Sequence, residues 1–236
     1  DNRSFIDACV KTGDAIVVNE EVDWDLEMGA IVRRTCEKKG PAVFFKNIKD
    51  YPGFECVGAP LSTYTRLAIA LGMDPNSRIP DIAAEYLKRT SDESKAVEPT
   101  VVTNAPCQEV VLTGNDANIM NLPAAMVHDG DGGRYIGTWS FVVAKDLDTP
   151  FVNWGMYRQM IYNETTMVGP VLPISDMGKM WHNKYQPKNI PMPFALVINP
   201  DPLSAIASCA PAGIAEAEFT SLLMGEPVEV VKCKTC

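Results

Sequence analysis

The sequence has few histidines, no long apolar run and no dense cluster of basic residues. Histidine occurs only twice in 236 residues, at His128 and His182, which excludes a metal site built from several histidines. No window approaches the roughly 18 consecutive apolar residues that a membrane-spanning helix needs, and the first residues lack the apolar core of a signal peptide. We therefore expect a cytoplasmic protein without a membrane partner.

Positive charge is also scarce, because 21 basic side chains face 30 acidic ones and the net charge is −9. This balance disfavours nucleic acid or an anionic membrane as the main partner, since both are bound through positive surfaces. The apolar fraction of 46% excludes a disordered chain, and the length suits one large domain or two small ones.

The seven cysteines are odd in number and scattered among apolar residues, which indicates reduced thiols and not a disulfide framework. Only Cys233 and Cys236 form a CxxC pair. This pair follows a predicted strand and has no second ligand pair, so neither a zinc site nor a thioredoxin-type site is indicated.

Residues 1–100 alternate between helix and strand signals, which predicts a small N-terminal α/β domain. Capping residues and glycine stops mark the helices, and short apolar runs mark the strands. The polar stretch Ser91–Lys95 marks the end of this domain. The predicted helices begin near Ser4, Asp23 or Asp25, Ser62 and Pro80, and the predicted strands are Ala15–Val18, read as buried, and Ala42–Phe45.

Residues 101–236 carry short strand signals between turn-forming clusters, which predicts a strand-rich sheet or barrel. The cluster Asp129–Gly133 is glycine-rich but lacks the Lys and Ser/Thr of a phosphate-binding loop, and its aspartates would repel a phosphate, so a β-turn is favoured. The predicted strands are 109–112, 135–144, 151–157, 194–198 and 227–233, and a helix is predicted to begin near Gly213.

Four polar residues in this half could carry chemistry: Asn153, Arg158, Asp176 and Glu216. An amide oxygen and two carboxylates form a hard oxygen set that suits Mn²⁺ or Mg²⁺, particularly where the metal also contacts a phosphate. Arg158 could hold a substrate carboxylate in a bidentate pair. Spacing alone leaves another interpretation open, in which the acids are surface residues and the asparagine is a hydrogen-bonded core residue.

Several longer motifs follow one another along this half of the chain. They are Pro106–Val111, Asn121–Pro123, His128–Ile136, Asn153–Arg158, Pro193–Leu196, Ala207–Pro211 and Gly213–Glu218. In this order they resemble the successive signatures of the UbiD-type decarboxylases, and the segment before Ser91 resembles the N-terminal domain of that family.

The resemblance implies an α+β protein with an N-terminal α/β domain over residues 1–100 and a split β-barrel over residues 101–236 that binds a flavin. It implies prenylated FMN as cofactor, made by a partner flavin prenyltransferase. The implied reaction is the reversible non-oxidative decarboxylation of an aromatic, heteroaromatic or α,β-unsaturated carboxylic acid. In such an enzyme the cofactor carries the chemistry and the protein supplies binding and orientation.

The resemblance also assigns roles position by position. Asn153 and Glu216 match two ligands of a Mn²⁺ (or Mg²⁺) ion that binds the flavin phosphate, and Arg158 matches the catalytic arginine beside the reacting carboxylate. Two loops match flavin-contacting segments, and a K⁺ ion is implied beside them. The first loop is Gly155, Met156, Tyr157 and Arg158, the second is Ser208, Cys209, Ala210 and Pro211, and the K⁺ ligands are Trp154, Ser208, Ala210 and Glu216.

The third metal ligand departs from the family pattern. Counted from Asn153, the position of the family's histidine falls on Asp176, whereas the nearest histidine, His182, lies six residues later. Asp176 is the predicted ligand because a carboxylate is a hard oxygen donor, and Ser175 beside it is predicted to contact the cofactor. His182 is the alternative.

Two glutamates, a lysine and the C-terminal dimerisation domain of the family have no counterpart in this sequence. The resemblance therefore implies the N-terminal portion of a longer enzyme, with an incomplete barrel, inactive in isolation and homo-oligomeric at full length. Two alternatives stay open: a catalytically inactive flavin- or metal-binding fragment, and a split-barrel oxidoreductase that uses unmodified FMN. The sequence leaves the substrate acid and the physiological direction of the reaction open.

Overall fold

The structure is a computed structural model that describes residues 1–235. Cys236, the second cysteine of the CxxC pair, lies outside the described residues. Within them the fold is mixed α+β, as predicted, with four separate sheets. None of the four sheets of residues 1–235 closes on itself, so the split barrel stays a prediction.

Helices are concentrated at the two ends of the described chain, and six successive strands lie between them. The helices are α1 (Asn2–Thr12), α2 (Glu27–Glu37), α3 (Tyr64–Ala70), α4 (Ile79–Thr90), α5 (Asp176–Met180), α6 (Pro202–Ala207) and α7 (Glu216–Met224). The strands are β1 (Ala15–Val18), β2 (Ala42–Phe45), β3 (Cys56–Gly58), β4 (Thr100–Val102), β5 (Tyr135–Gly137), β6 (Ser140–Lys145), β7 (Val152–Gly155), β8 (Gln159–Ile161), β9 (Met167–Val168), β10 (Phe194–Ile198) and β11 (Glu229–Val231). No helix in this part of the chain is both long and apolar enough to cross a membrane.

The chain forms two compact units whose segments alternate along the sequence. The first unit comprises Asp1–Glu85, Gly114–Thr138 and Gln159–Val168, and the second comprises Tyr86–Thr113, Trp139–Arg158 and Gly169 onward. All the residues predicted to bind cofactor and metal belong to the second unit. The predicted domain boundary at residue 100 stays a prediction.

In the first unit, β1, β2 and β3 form one sheet with β2 in the centre. The β1–β2 pair is parallel and the β2–β3 pair is antiparallel. Val43 and Phe45 of β2 are fully buried and pack with Val22, Met28 and Ile48 in a hydrophobic core. A second small antiparallel sheet in this unit consists of β5, β8 and β9.

Most of the predicted elements are present. The strand bounds that agree with the prediction are Ala15–Val18, Ala42–Phe45 and Phe194–Ile198. The first helix begins at Asn2, before the predicted start at Ser4, because Asp1 is its N-cap and its side chain accepts the Ser4 N–H at 2.9 Å. The helix predicted near Gly213 begins at Glu216.

Three local predictions are wrong. The predicted strand 135–144 is two strands, β5 and β6, which belong to different sheets. The described residues 109–112 form no strand, and Val110 is 75% exposed. Short 3₁₀ turns flank this segment on both sides, and no neighbouring strand takes up its backbone hydrogen bonds. The strand β1 was predicted to be buried, but its residues Ile16 and Val17 are exposed. The reason is that β1 lies at the edge of its sheet.

The second unit is built around the antiparallel sheet β10–β6–β7. On one face the rings of Phe141 and Trp154 stack at 4.7 Å and pack with Ala217 of α7. Successive residues of a strand point to opposite faces, so Asn153 and Gly155 lie on the other face. This register decides which side chains of β7 face a ligand and which face the core.

Candidate cofactor and metal site

Asn153 lies in β7, the outer strand of its sheet, and pairs with Ala144 of the central strand β6. The residue is only 1% exposed, and its side-chain Nδ2 has no hydrogen-bond partner among residues 1–235. The oxygen and nitrogen of a side-chain amide are assigned from their surroundings. Rotating the Asn153 amide by 180° would therefore put its oxygen at the position that has no hydrogen-bond partner. A buried polar atom without a partner is rare in a folded protein and requires an explanation.

Glu216, the first residue of α7, lies beside β7. Its Oε2 accepts the backbone N–H of Trp154 at 2.8 Å. Since β7 is the outer strand of the sheet β10–β6–β7, this carboxylate takes up an N–H that no strand pairs. Glu216 is therefore tied to the residue next to Asn153.

The pKa of Glu216 is raised above its ordinary value. Burial is the largest cause, and the negative charge of Asp176 raises it further, while the N–H groups of Trp154 and of Glu216 itself act in the opposite direction. Burial and a neighbouring like charge both disfavour ionisation. A divalent cation close to the two carboxylates would remove this penalty.

Asp176 is the first residue of α5, and Ser175 is the N-cap of that helix. The Asp176 side chain is exposed and pairs with Lys179 at 2.9 Å. The Ser175 hydroxyl accepts the Gly178 N–H at 3.1 Å and donates to the Leu172 carbonyl at 2.7 Å. The hydroxyl that was predicted to contact the cofactor therefore caps a helix in this structure.

Tyr157 connects the end of β7 to α5. Its hydroxyl accepts the backbone N–H of Met177 at 3.2 Å. Its ring lies against Gly155, where an added Cβ would be 2.2 Å from ring atom Cε2, so only glycine fits. The sequence analysis missed this anchoring contact; a glycine inside a predicted strand, two residues before an aromatic residue, was the available signal.

The second predicted flavin loop follows α6 and contacts the first. The Cys209 Sγ lies 3.7 Å from the Met156 Sδ. Ser208 is buried and its hydroxyl donates to the Ala205 carbonyl at 2.8 Å, and Pro211 beyond it is exposed. The structure thus brings the two predicted cofactor loops together.

The backbone oxygens predicted to bind K⁺ belong to Trp154 in β7 and to Ser208 and Ala210 in the second loop. The Ala210 carbonyl accepts the Ala212 N–H at 2.9 Å. A carbonyl oxygen has two lone pairs, so Ala210 keeps one acceptor site for a cation.

Arg158 and His182 are the remaining candidate residues of the site. Arg158 is exposed and lies in the loop that follows β7. His182 lies in the π-helical turn that continues α5, with its Nδ1 2.8 Å from the Gln186 Oε1 and its ring against Trp181. The negative charge of Asp176 acts on Glu216 and raises its pKa.

The glycine-rich cluster that follows His128 is a turn, as favoured by the sequence. The Asp131 side chain accepts the His128 N–H at 3.1 Å, and the Asp131 N–H donates to the His128 carbonyl at 3.1 Å. The aspartate therefore closes the turn on itself.

Three oxygen-bearing side chains of the second unit are the candidates for holding a divalent cation. Residues 1–235 contain no cluster of three or more His, Cys, Asp or Glu side chains that could hold a metal ion. The predicted ligand set contains only two residues of these types, Asp176 and Glu216. Its third member, Asn153, has the orphaned buried amide. The amide oxygen, the Glu216 carboxylate and the Asp176 carboxylate form a hard donor set.

Two sequence profiles of one family match the chain. The profile of the 3-octaprenyl-4-hydroxybenzoate carboxy-lyase N-terminal domain matches residues 6–86, and that of the Rift-related domain of the same enzyme family matches residues 100–236. The two matches cover most of the chain, which therefore belongs to the UbiD family.

Known relatives are decarboxylases of about twice this length. The chain is 35% identical to pyrrole-2-carboxylic acid decarboxylase of Pseudomonas aeruginosa, covering 100% of this chain and 49% of the relative. The closed form of vanillic acid decarboxylase from Sedimentibacter hydroxybenzoicus shares 30% identity and a TM-score of 0.92, covering 100% and 51%. An evolved dimeric form of the UbiD-class enzyme HmfF from Pelotomaculum thermopropionicum, solved with prFMN, shares the fold with a TM-score of 0.86 and 23% identity, covering 100% and 53%.

Proposed function

We propose that the second unit holds the cofactor and metal site of a UbiD-type carboxy-lyase. One observation carries the proposal. The buried Asn153 amide has no hydrogen-bond partner at its Nδ2, and the Glu216 carboxylate accepts the N–H of the next residue, Trp154. Asn153, Asp176 and Glu216 would hold Mn²⁺, or Mg²⁺, and the cation would bind the phosphate of prenylated FMN. Asp176 is preferred to His182 because its charge acts on Glu216.

The proposed reaction is the reversible non-oxidative decarboxylation of an aromatic or α,β-unsaturated carboxylic acid. When bound, prenylated FMN supplies the electron sink for the loss of CO₂. Arg158 would hold the substrate carboxylate by two parallel hydrogen bonds. The chain spans about half the length of the relatives that it matches, so this activity is proposed for the whole protein.

The remaining protein groups would orient the cofactor. Gly155, Met156 and Tyr157 offer backbone and ring surface at the end of β7. The loop residues proposed to contact the flavin from the other side are Ser208, Cys209, Ala210 and Pro211, with Ser175 beside Asp176. Backbone oxygens of Trp154, Ser208 and Ala210 would hold K⁺ together with Glu216.

Several finer assignments accompany this proposal. A flavin prenyltransferase would supply the cofactor, and the full-length enzyme would be a homo-oligomer. The division into an α/β domain and a split barrel at residue 100 and the cytoplasmic location are likewise retained as predictions. The matches of the family profiles at residues 6–86 and 100–236 support the proposed division.

Activity is tested by co-expressing the protein, in the longest natural form that contains this chain, with a flavin prenyltransferase. We expect CO₂ release from at least one member of a panel of aryl and acryl acids, and loss of that release in Arg158→Met. Hydride transfer with unmodified FMN, or no decarboxylation and no CO₂ exchange across the panel, would contradict the proposal. Glu229→Gln, a change of an exposed residue remote from the proposed ligands in sequence, serves as the control variant.

A further inference from the structure

Asp176, the proposed third metal ligand, is held only weakly by the ion pair of its own side chain. The side chain is exposed, and its pair with Lys179 joins two residues of the same short helix, α5. Exposed charge pairs one turn apart on a helix contribute little to stability. The distance of the Asp176 carboxylate from Asn153 and Glu216 therefore depends on what holds the start of α5.

Two side-chain hydroxyls bond to the first turn of α5. The Ser175 hydroxyl accepts the Gly178 N–H at 3.1 Å, and the Tyr157 hydroxyl accepts the Met177 N–H at 3.2 Å. Ser175 is the N-cap of α5 itself, so its bond shapes the turn without attaching it to another element. Tyr157 lies two residues beyond the end of β7, so its bond attaches the turn to the strand that carries Asn153.

The Tyr157 ring is itself held against the sheet. It lies on Gly155, where an added Cβ would be 2.2 Å from ring atom Cε2, and Gly155 pairs with the fully buried Val142 of β6. Only two χ angles place the ring of a tyrosine, so a ring fixed at this position also fixes its hydroxyl oxygen. The hydrogen bond to Met177 therefore transmits the position of β7 to the first turn of α5.

We propose that Tyr157 is a positioning residue of the metal site, whose hydroxyl fixes the start of α5 so that the Asp176 carboxylate reaches the cation. This inference rests on the proposed function, which assigns Asn153, Asp176 and Glu216 to that cation. Asp176 directly precedes Met177, so the bond acts on the backbone next to the ligand. The negative charge of Asp176 acts on Glu216 in the ligand-free protein, so the two carboxylates are already close enough to interact.

The test compares Tyr157→Phe with Tyr185→Phe, using Mn²⁺ alone as the probe of the full chain. Both variants keep the ring and remove one hydroxyl that bonds to a backbone group. The Tyr185 hydroxyl donates to the Lys145 carbonyl at 3.0 Å, at the far end of the helical segment that α5 begins. Each variant should lower the melting temperature by about 2–4 °C, the effect of one hydrogen bond in a chain of this size. Only Tyr157→Phe should weaken Mn²⁺ binding, by about tenfold, and alter the electron paramagnetic resonance spectrum of the bound ion.

A double-mutant cycle with Asp176→Asn separates positioning from a general structural role. Asp176→Asn alone should weaken Mn²⁺ binding at least as much as Tyr157→Phe does. If Tyr157 acts through Asp176, adding Tyr157→Phe to Asp176→Asn should cause little further loss, because the ligand that Tyr157 places has already lost its charge.

Three outcomes would overturn the inference, and they are distinguishable. If wild type and Tyr157→Phe bind Mn²⁺ with the same affinity, the inference alone fails and the proposed function stands. If Tyr157→Phe causes the same loss with and without Asp176→Asn, or Tyr185→Phe causes an equal loss, the hydroxyl acts through stability and not through Asp176. If wild type binds no Mn²⁺, or Asp176→Asn binds it as wild type does, the proposed ligand set fails and the inference fails with it.

Discussion

The Oε2 of Glu216 accepts the backbone N–H of Trp154 at 2.8 Å, although the two residues are 62 positions apart in the sequence. This bond fixes the start of α7 to the outer edge of β7. Because Asn153 precedes Trp154, the bond also brings a carboxylate to the strand that carries the orphaned amide.

Replacing Glu216 by Gln should separate its electrostatic role from its structural one. The amide oxygen of Gln can still accept the Trp154 N–H, so the free energy of unfolding should change little. The loss of the charge should weaken Mn²⁺ binding by about tenfold or more, at least the effect of removing a supporting residue of a metal site. Titration of Mn²⁺ followed by electron paramagnetic resonance measures this affinity.

Glu218→Gln is the matched control for this variant, since both glutamates lie in the first turn of α7. Each substitution removes one negative charge from the same helix N-terminus, so the two alter the interaction with the helix dipole alike. Equal loss of Mn²⁺ affinity in both variants would show that Glu216 acts only through general charge.

Mn²⁺ affinity should rise with pH over a range that begins above 4.5, the ordinary pKa of a glutamate. Burial, with the charge of Asp176, raises the pKa of Glu216 above that value, and a protonated carboxyl does not bind the metal. The folded ligand-free protein then binds a proton more tightly than the unfolded chain. The contribution of Glu216 to stability is therefore present below pH 4.5 and declines as pH rises through its raised pKa.

The measurement is the Mn²⁺ dissociation constant at intervals between about pH 4 and about pH 7.5, a range that includes ordinary and raised carboxyl pKa values. Wild type should show a transition that Glu216→Gln lacks. A transition centred at or below 4.5, or the same transition in the variant, would be inconsistent with the raised pKa.

Arg66 should be essential for the stability of the first unit. It is 1% exposed, and its guanidinium donates to three backbone carbonyls, those of Pro60, Asp14 and Gly40, and to the hydroxyl of Ser62. Arg66→Met would leave these acceptors buried and unpaired, which should lower the free energy of unfolding by about 3 kcal/mol. Urea denaturation measures the change.

Arg78→Met is the control for Arg66. Its ion pair with Asp81 lies at the surface, where the two side chains are 79% and 47% exposed. Exposed pairs contribute little to stability, so this variant should unfold close to wild type. A loss for Arg66→Met no larger than that for Arg78→Met would show that the buried hydrogen bonds carry no net stability.

The ion pair of Asp146 and Lys184 should stabilise the second unit more than its neighbours do. Asp146 is 6% exposed, and both of its oxygens lie within 2.8 Å of the Lys184 Nζ. Lys184→Met would leave a buried carboxylate without its cation and should lower the free energy of unfolding by about 2–3 kcal/mol. Lys188→Met, which removes an exposed partner of Asp148, should cause little change in the same urea titration.

The stabilising effect of the Asp146–Lys184 ion pair should depend on pH in the acid range. The hydrogen bond from Lys184 is the main reason that the pKa of Asp146 falls to about 2 from an ordinary 3.8. Its contribution to stability is present above pH 3.8 and is lost as pH falls towards 2. Unfolding curves between these pH values should therefore converge for wild type and Lys184→Met; curves that stay equally far apart would contradict the assignment.

Local signals in the sequence were sufficient to predict the elements that depend on few neighbours. Apolar runs bounded by turn residues gave the bounds of β1, β2 and β10. The run at 109–112 looks equally apolar but forms no strand, because a strand also needs a paired neighbour. Likewise, Ile16 and Val17 are apolar but exposed, since the position of β1 at a sheet edge is a property of the tertiary structure.

In the candidate site, too, local motifs could be recognised from the sequence but tertiary contacts could not. The motif Asn153–Arg158 and the glutamate at 216 were recognisable by their resemblance to a family. The Trp154–Glu216 bond and the Tyr157–Met177 bond were not, because each joins residues far apart in sequence.

The central claim is that Asn153 and Glu216 bind a cation that holds a flavin phosphate. The most direct test is the flavin and manganese content of the protein purified after co-expression with a flavin prenyltransferase. We expect prenylated FMN and Mn²⁺ in equimolar amounts in wild type and the loss of both in Asn153→Ala. Wild type purified without flavin and manganese, or Asn153→Ala with undiminished amounts of both, would contradict it.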